Sequence, residues 1–221
     1  MNNGTIRIES KAYEAFIFDM DGLLFDTEKL CWNCFQEICA EYGYDPDFSI
    51  YRKCIGRSAV EGNKLLEEGF GKSIPYTEVN LKWNDLYRSR LDSKEIPLKE
   101  GVLKFLDELK NKNIKMAVAT STETGLALKK LERGGVLKYF LTVTGGDSVK
   151  ESKPHPDIYL KAAGSIGADP KKCIAFEDSD NGVRAAHGAG MTVVQIPDLI
   201  EPSADILRLG HTIAESFDLI E

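Results

Sequence analysis

The sequence predicts an α/β fold in which a doubly wound, Rossmann-like parallel sheet forms the core and an α-helical cap domain is inserted into it. Five short, β-rich apolar runs recur along the 221 residues, and amphipathic segments at helical spacing separate the later runs. Strands that alternate with helices are typical of βαβ units. A helical block of about seventy residues follows the first strand, and it is too long for a simple crossover connection.

The predicted strands are apolar along nearly their whole length. They cover residues 15–19, 115–120, 141–145, 173–177 and 192–197. A half-exposed antiparallel strand would alternate apolar and polar residues, whereas a strand of a parallel sheet is buried on both faces. The pattern therefore favours a parallel sheet with helices packed on both sides.

The predicted helices fall into two groups. Between the later strands, apolar residues recur at helical spacing in segments 101–112, 125–133, 157–166 and 181–188. The second group, at 30–42, 60–69 and 77–91, lies in the block after the first strand. We therefore expect an α/β core at residues 1–27 and 97–221, a helical cap at residues 28–96, and hinges near residues 27–29 and 93–97.

Composition and charge exclude several classes of partner. The net charge is -7, whereas a protein that binds nucleic acid or an anionic membrane normally carries a basic face. The N-terminal stretch "MNNGTIRIES" has no apolar signal region, and no apolar run is long enough to span a bilayer. We expect a cytoplasmic protein that contacts neither nucleic acid nor membrane. A monomer is expected, although the sequence leaves the oligomeric state open.

The five cysteines indicate reduced thiols, because their number is odd and they lie in apolar patterns. They are Cys31, Cys34, Cys39, Cys54 and Cys173. Cys31 and Cys34 form a C-x-x-C, which would suit zinc or a redox pair, but no second Cys or His pair lies nearby to complete four ligands. The apolar face of a helix accounts for this spacing better.

Polar residues cluster where the predicted strands end. Those at successive strand ends are Asp19 and Asp21, then Thr120, Ser121 and Thr122, then Lys153, and finally Glu177, Asp178 and Asp180. Ligands of open parallel sheets bind just beyond these ends. Clustered carboxylates suit Mg²⁺, and hydroxyls with a single lysine suit the oxygens of a phosphate group. Asp26 and Thr27 fit a turn or a helix cap, and Glu28 fits the start of the cap domain.

Three competing motifs fail. "FGKS" at residues 70–73 lacks the first glycine of a P-loop, since Leu66 stands there, and it lies in the helical block. There is no G-x-S-x-G for a serine hydrolase. No G-x-G-x-x-G follows a strand, so a dinucleotide fingerprint is missing as well.

Four segments resemble, in order, the motifs of the haloacid dehalogenase-like hydrolase superfamily. "DMDGLLFDTE" resembles the first motif, "VATST" the second, Lys153 in "SKPHPDIY" the third, and "FEDSDNGVRAAHGAGM" the fourth. Together with the helical block they span nearly the whole chain. The block itself resembles the cap of the phosphatase and β-phosphoglucomutase branch.

This resemblance implies roles for the acidic residues. Asp19 would be the nucleophile that forms an aspartyl phosphate, and Asp21 would be the general acid and then the general base. Mg²⁺ would bind the Asp19 carboxylate, the Asp21 backbone carbonyl and Asp178, with Glu177 close by. Phosphoryl transfer depends chiefly on positioning and electrostatic stabilisation, which such a set supplies.

The resemblance also implies a set of substrate contacts. The phosphoryl oxygens would be held by Thr120, Ser121, the adjoining backbone and Lys153. Gly56 and Arg57, in the cap segment "CIGRSAVEG", keep a family-like pattern, and Arg57 would contact a polar substrate. An acid at position 21 favours phosphate esters over dehalogenation, which needs none there. P-type ATPases are excluded because they carry D-K-T-G in place of "DMDG".

Within this branch, two functional hypotheses remain, a hydrolase and a mutase. A β-phosphoglucomutase-like phosphohexose mutase commonly has a histidine after the D-T motif, where this chain has Cys31 in "DTEKLCW". It also uses a basic residue after the second motif, where Glu123 stands in "STETG" and would repel a distal phosphate. The hydrolase is favoured. A non-catalytic binding protein is disfavoured because the catalytic set is intact.

Among phosphatases, the first and fourth motifs look similar to those of the pseudouridine 5′-phosphatase-like group. Neighbours of that group handle many small phosphate monoesters, so the resemblance does not single out a substrate. The prediction is a Mg²⁺-dependent phosphatase whose partner is a small phosphorylated metabolite, such as a sugar, polyol or nucleotide phosphate.

Overall fold

A six-stranded parallel sheet forms the centre of the computed structural model, which describes residues 5–93 and 96–221. Its strands are β1 (Ala15–Phe18), β2 (Lys115–Ala119), β3 (Thr142–Thr144), β4 (Cys173–Glu177), β5 (Thr192–Gln195) and β6 (Thr212–Ile213). They lie in the order β3-β2-β1-β4-β5-β6, and each neighbouring pair is parallel. The predicted doubly wound sheet is confirmed, and β6, with two residues, is too short to leave a readable pattern.

Helices connect and cover these strands. The α-helices are α1 (Thr27–Glu41), α2 (Phe48–Tyr51), α3 (Ala59–Phe70), α4 (Tyr76–Ser93), α5 (Val102–Asn111), α6 (Thr124–Arg133), α7 (Asp157–Ser165), α8 (Asp180–Gly188) and α9 (Ala204–Leu207). Short 3₁₀ turns occupy Ser10–Ala12, Leu137–Tyr139, Gly146–Ser148, Pro170–Lys172 and Phe217–Leu219. None of the helices in the described part of the chain combines the length and apolar character that a bilayer crossing needs.

The two faces of the sheet carry side chains of different size. On one face Phe18 stacks on Phe176 with ring centroids 5.0 Å apart, beneath α5 and α6. On the other face the small side chains of Ala15 and Ala175 lie beneath α7 and α8. Because successive residues of a strand point to opposite faces, one four-residue strand contributes to both cores.

A third apolar cluster lies in the segment between β1 and β2. Helices α1, α3 and α4 meet around Phe35, which contacts Trp83 with ring centroids 4.8 Å apart. Leu66 and Tyr51 complete the buried centre of this cluster. The predicted helical block is therefore a helical layer with its own core. Of the hinge expected at 93–97, residues 94–95 lie outside the described part of the chain.

Candidate active site

The carboxyl ends of β1 and β4 bring three carboxylates together. Asp19 directly follows β1, and its backbone N–H donates to the Phe176 carbonyl at 3.0 Å, so it stays in line with β4. Glu177 ends β4 and Asp178 follows it. Carboxylate oxygens of Asp19, Glu177 and Asp178 all lie within 4.8 Å of one another, and all three residues are buried. Neighbouring parallel strands impose this proximity, as the sequence predicts.

Lys153 is the cation of this acidic cluster. Its side chain is 1% exposed, and its Nζ donates to Asp19 Oδ1 and, at 2.5 Å, to Glu177 Oε1. Tyr159, on α7, donates its hydroxyl to the same Glu177 oxygen at 2.6 Å. Tyr159 is missing from the predicted site because its place on the apolar face of a helix reads as ordinary core.

Glu177 is held so tightly that both of its oxygens are engaged. Its Oε2 accepts from the backbone N–H groups of Asp178 and Ser179 at 3.1 and 3.3 Å, and from the Ser179 hydroxyl at 3.2 Å. Gly182 leaves the room for this carboxylate, since a β-carbon there would overlap it. Glu177 therefore orients Lys153 and the Asp178 backbone while adding charge to the cluster.

Gly182→Ala is expected to destabilise the protein by about 1–3 kcal/mol, because the new methyl group would displace the buried Glu177 carboxylate. Urea unfolding measures the change. The matched control is Gly164→Ala in α7, where the added carbon would meet no described atom within 4 Å apart from its own helix backbone and chain neighbours. A helical alanine there should leave stability equal or raise it by about 0.5–1 kcal/mol. Equal midpoints for wild type and Gly182→Ala would contradict this account.

The charge balance of the buried cluster favours a bound cation. Three carboxylates face one lysine, so the group is anionic when all are ionised. Burial raises the pKa of Asp19 to about 7 against the opposing effect of Lys153. Burial and the charge of Glu177 also raise the pKa of Asp178. A divalent cation with oxygen ligands would relieve both penalties, so these residues fit one.

Asp21 lies two residues after Asp19 in the chain. Within the described part of the structure, its side chain is not a member of the acidic cluster. The chain turns at Gly22, which has a φ of +86°, a value that glycine adopts without strain. The Asp21 carboxylate accepts from the hydroxyls of Thr27 at 2.5 Å and Thr122 at 2.7 Å, and from Lys130 Nζ at 2.6 Å. Two aspartates from one short motif thus have separate environments.

Those contacts hold Asp21 in its ionised form. Burial by itself would raise the pKa of Asp21, but the charge of Lys130 and the three hydrogen bonds bring it below its ordinary value. Lys130 is the more deeply buried partner, with 4% of its side chain exposed against 15% for Asp21, and Asp21 raises the pKa of Lys130 in turn. The ion pair is therefore charged on both sides.

Lys130 is a site residue that the sequence reading misses. It lies on α6, where Ala127, Lys130 and Leu131 share the buried face of an otherwise apolar stripe. A lysine at such a position is the available signal, because lysine is almost never fully buried unless it is paired. Its partner, 109 residues away in sequence, is visible only in the structure.

Thr27 and Glu28 also differ from expectation. Asp26 precedes α1 as its N-cap residue but makes no side-chain capping bond, and Thr27 bonds to Asp21. Glu28, expected only to begin the cap, lines the same cavity as Asp21. Burial and the charge of Asp21 raise the pKa of Glu28 to about 8. The start of α1 therefore belongs to the site.

The expected phosphate-binding loop follows β2. Thr120 is buried, and its hydroxyl oxygen accepts from the Thr122 backbone N–H at 3.2 Å. The Ser121 hydroxyl donates to the Gly56 carbonyl at 3.4 Å, so the loop touches the helical layer. Gly56 has a φ of +75°, and a side chain there would meet Ser179. Arg57 follows, half-buried, with its Nε donating to the Lys53 carbonyl at 3.1 Å.

Two further hydrogen bonds join the helical layer to the strand ends. The Ser152 hydroxyl, next to Lys153, donates to Glu61 Oε2 on α3 at 2.5 Å. The Asn181 side chain donates to the Ile55 carbonyl at 3.3 Å. The segment around Gly56 therefore packs over the carboxyl ends of the strands.

A cavity of about 280 Å³ lies between this cover and the sheet. Asp21, Lys130 and Ser121 line it from the sheet side, and Arg57 and Trp83 line it from the helical layer. Its volume leaves room for a small organic group beside Asp21. Cys31 is on its wall rather than in a metal cluster, and all five cysteines are free.

Comparison with known proteins gives consistent matches. A family model described as haloacid dehalogenase-like hydrolase matches residues 16–196. The phosphorylated carbohydrates phosphatase of Thermotoga maritima is 36% identical over 178 residues, which cover 80% of this chain and 82% of that protein. A Drosophila melanogaster protein named "Probable pseudouridine-5'-phosphatase" is 34% identical over 193 residues, covering 82% and 80%. The crystal structure of CbbY from Rhodobacter sphaeroides in complex with phosphate aligns with a TM-score of 0.71 at 29% identity, covering 93% and 95%.

Proposed function

Because the chain belongs to the haloacid dehalogenase-like hydrolase family, as its motifs predict, we propose that it is a Mg²⁺-dependent phosphatase of small phosphate monoesters. Sugar, polyol or nucleotide phosphates are hydrolysed through an aspartyl phosphate on Asp19. The relatives named as phosphatases, one of them for phosphorylated carbohydrates, support this class. The carrying observation is that Asp19 lies against Lys153 and Asp178 while Asp21 points into a separate cavity.

Mg²⁺ fits the oxygen ligands of this site, and it would supply charge neutralisation of the phosphoryl oxygens. Asp19 and Asp178 would hold it, together with the backbone carbonyl of Asp21. Glu177 would act mainly through its charge, since Lys153, Tyr159 and the following backbone occupy its oxygens.

Asp19 would carry out the first displacement. Its carboxylate oxygen forms a bond to phosphorus while the bond from phosphorus to the leaving alcohol breaks. Asp21 gives its proton to that alcohol as it departs. Lys153 fixes the Asp19 carboxylate through Oδ1 and, with Thr120 and Ser121, stabilises the transferring phosphoryl oxygens.

Asp21 would then serve as the base of the second displacement. It accepts a proton from water, whose oxygen attacks phosphorus, and the bond to Asp19 breaks to release inorganic phosphate. The contacts from Thr27, Thr122 and Lys130 stabilise Asp21 in the ionised form that this step begins with. The first displacement needs Asp21 in its protonated form. Asp21 must therefore take up a proton, with the substrate bound, against the stabilisation that these contacts give to its ionised form.

Residues 28–96 would act as the cap that selects the leaving group and excludes bulk water, with the core at residues 1–27 and 97–221. The bonds from Ser152 to Glu61 and from Ser121 to Gly56 support this division, because they join the two parts directly over the site. The free thiols support a cytoplasmic location, and a monomer remains the expected state.

A phosphohexose mutase is the second candidate, and Arg57 and Arg88 favour it because both line the cavity and suit a distal phosphate. Glu123 lines the same cavity and opposes an anion there. Glu28 opposes one only above its raised pKa of about 8. The hydrolase remains the favoured function because Glu123 stands where the mutase uses a basic residue.

Steady release of phosphate from p-nitrophenyl phosphate is expected with Mg²⁺, and a chelator should reduce it to background. A phosphate-release screen over sugar, polyol and nucleotide monophosphates, with and without a hexose bisphosphate, identifies the substrate class. Interconversion of sugar phosphates that requires the bisphosphate, without net phosphate release, would assign the mutase. No release from any monoester would overturn both the class and the mechanism.

A further inference from the structure

Asp198 is a buried carboxylate with one oxygen unaccounted for. It lies in the segment after β5, and 6% of its side chain is exposed. Its Oδ1 accepts a hydrogen bond from Lys99 Nζ. Its Oδ2 has no hydrogen-bond partner among the described residues. A buried carboxylate oxygen is costly when it accepts nothing, so this atom calls for a partner.

The free oxygen of Asp198 lies close to Gly22, in the turn that Asp178 also approaches. A β-carbon built on Gly22 would lie 2.5 Å from Asp178 Oδ2 and 3.3 Å from Asp198 Oδ2. The oxygens of Asp178 and Asp198 therefore approach the same point of the turn that follows Asp21. Asp198 nevertheless stands outside the compact group of Asp19, Glu177 and Asp178.

The nearby basic side chains do not satisfy this oxygen. Arg52, Lys53, Arg57 and Arg184 line a pocket of about 380 Å³ together with Asp178 and Asp198. None of them bonds to Oδ2, and Lys99 is committed to the other oxygen. Two ionised carboxylate oxygens that approach the same point repel each other unless a donor or a cation is bound between them.

We propose that Asp198 is an additional carboxylate of the magnesium site, which accepts a hydrogen bond from the hydration shell of the ion beside Asp178. This rests on the Mg²⁺ part of the proposed function. Mg²⁺ dehydrates reluctantly and keeps several waters when one or two carboxylates bind it directly. Groups that hold such waters tune metal affinity even though they do not touch the metal. Lys99 would be the residue that aims Asp198.

The test is Mg²⁺ binding itself, measured by isothermal titration of the chelator-treated protein without substrate. Asp198→Asn is expected to weaken Mg²⁺ binding by about 10- to 100-fold. Lys99→Met keeps the carboxylate but removes the residue that aims it, so this variant is the reference for the double variant and is expected to bind Mg²⁺ between wild type and Asp198→Asn. Asp198→Asn leaves Lys99 without its partner and can fold poorly for that reason alone. A second comparison, of Lys99→Met with Lys99→Met/Asp198→Asn, avoids this problem because the two variants differ only in the carboxylate of residue 198. The double variant is expected to bind Mg²⁺ more weakly than Lys99→Met.

A matched surface control is Asp205→Asn, which removes an exposed carboxylate paired with Arg208 and should leave Mg²⁺ affinity unchanged. Affinities within about twofold of wild type in both Asp198 variants would overturn the inference and leave Asp198 as a structural partner of Lys99. That result, with aryl phosphate still hydrolysed, would leave the phosphatase proposal standing. If the Asp198 variants bind Mg²⁺ more weakly but the wild-type protein releases no phosphate from any ester, the inference about Asp198 stands and the phosphatase proposal is overturned.

Discussion

Asp19→Asn is expected to reduce kcat/KM for aryl phosphate by about 10⁴-fold or more. The amide cannot form the bond to phosphorus, so the two-step route is lost rather than slowed. Steady-state phosphate release, followed with saturating Mg²⁺, measures the effect. Trapping of a phosphorylated protein after rapid acid quench should succeed with wild type and fail with the variant.

The fold should survive this substitution, because Asp19 is a residue whose charge the folded state disfavours. Burial raises its pKa to about 7, so a neutral side chain of the same size costs little, despite the lost ion pair with Lys153. Thermal unfolding of Asp19→Asn should therefore give a midpoint near that of wild type. Activity within tenfold of wild type in a folded variant would exclude Asp19 as the nucleophile.

Lys153→Met is expected to lower the free energy of unfolding of the metal-free protein by about 3–5 kcal/mol, because it leaves Asp19 and Glu177 buried without their cation. Turnover should fall with it, since the same nitrogen would stabilise the transferring phosphoryl group. Urea unfolding in the presence of a chelator measures the stability term separately from catalysis.

The loss of stability caused by Lys153→Met should grow as pH rises. Lys153 lowers the pKa of Asp19, so its removal raises that pKa further above its value of about 7. A carboxyl group with a raised pKa in the folded state contributes stability at low pH and loses it as pH rises through that pKa. We therefore expect a smaller difference between variant and wild type at pH 5 than at pH 8.

Lys172→Met is the control for this experiment. Lys172 pairs with Glu14 at 2.9 Å, with 59% and 40% of the two side chains exposed. Exposed pairs of this kind contribute about 0–1 kcal/mol, so the control should unfold close to wild type at both pH values. An equally small effect for Lys153→Met would mean that the buried carboxylates do not depend on the lysine.

The roles proposed for Asp19 and Asp21 depend on the surroundings of each residue and not only on their shared motif. Asp19 meets other carboxylates in a buried cluster, and its pKa is raised. Asp21 meets two hydroxyls and Lys130, and its pKa is lowered. Carboxyl groups in such different environments are suited to separate roles, and a divalent cation beside Asp19 would lower its pKa and keep the proposed nucleophile ionised.

The sequence by itself determined the fold class and placed Asp19, Glu177 and Asp178 at neighbouring strand ends, although it did not separate them from Asp21 and Asp180. Apolar runs separated by helical patterns predict a parallel sheet, and parallel strands bring their carboxyl ends to one edge. Asp19, Glu177 and Asp178 follow from that rule, because their position depends only on where β1 and β4 end. Lys153 follows less directly, since it lies several residues beyond β3.

Only the tertiary structure decided the partners of those residues. Lys130 bonds to Asp21 across 109 residues, and Tyr159 bonds to Glu177 from a helix whose pattern reads as core. Asp198, in the segment after β5, approaches the same turn at Gly22 as Asp178. The physical reason is that strand ends are placed by local periodicity, which the chain displays in order. A side chain that reaches a site from a helix or a loop is placed by packing between distant segments, which no local pattern records.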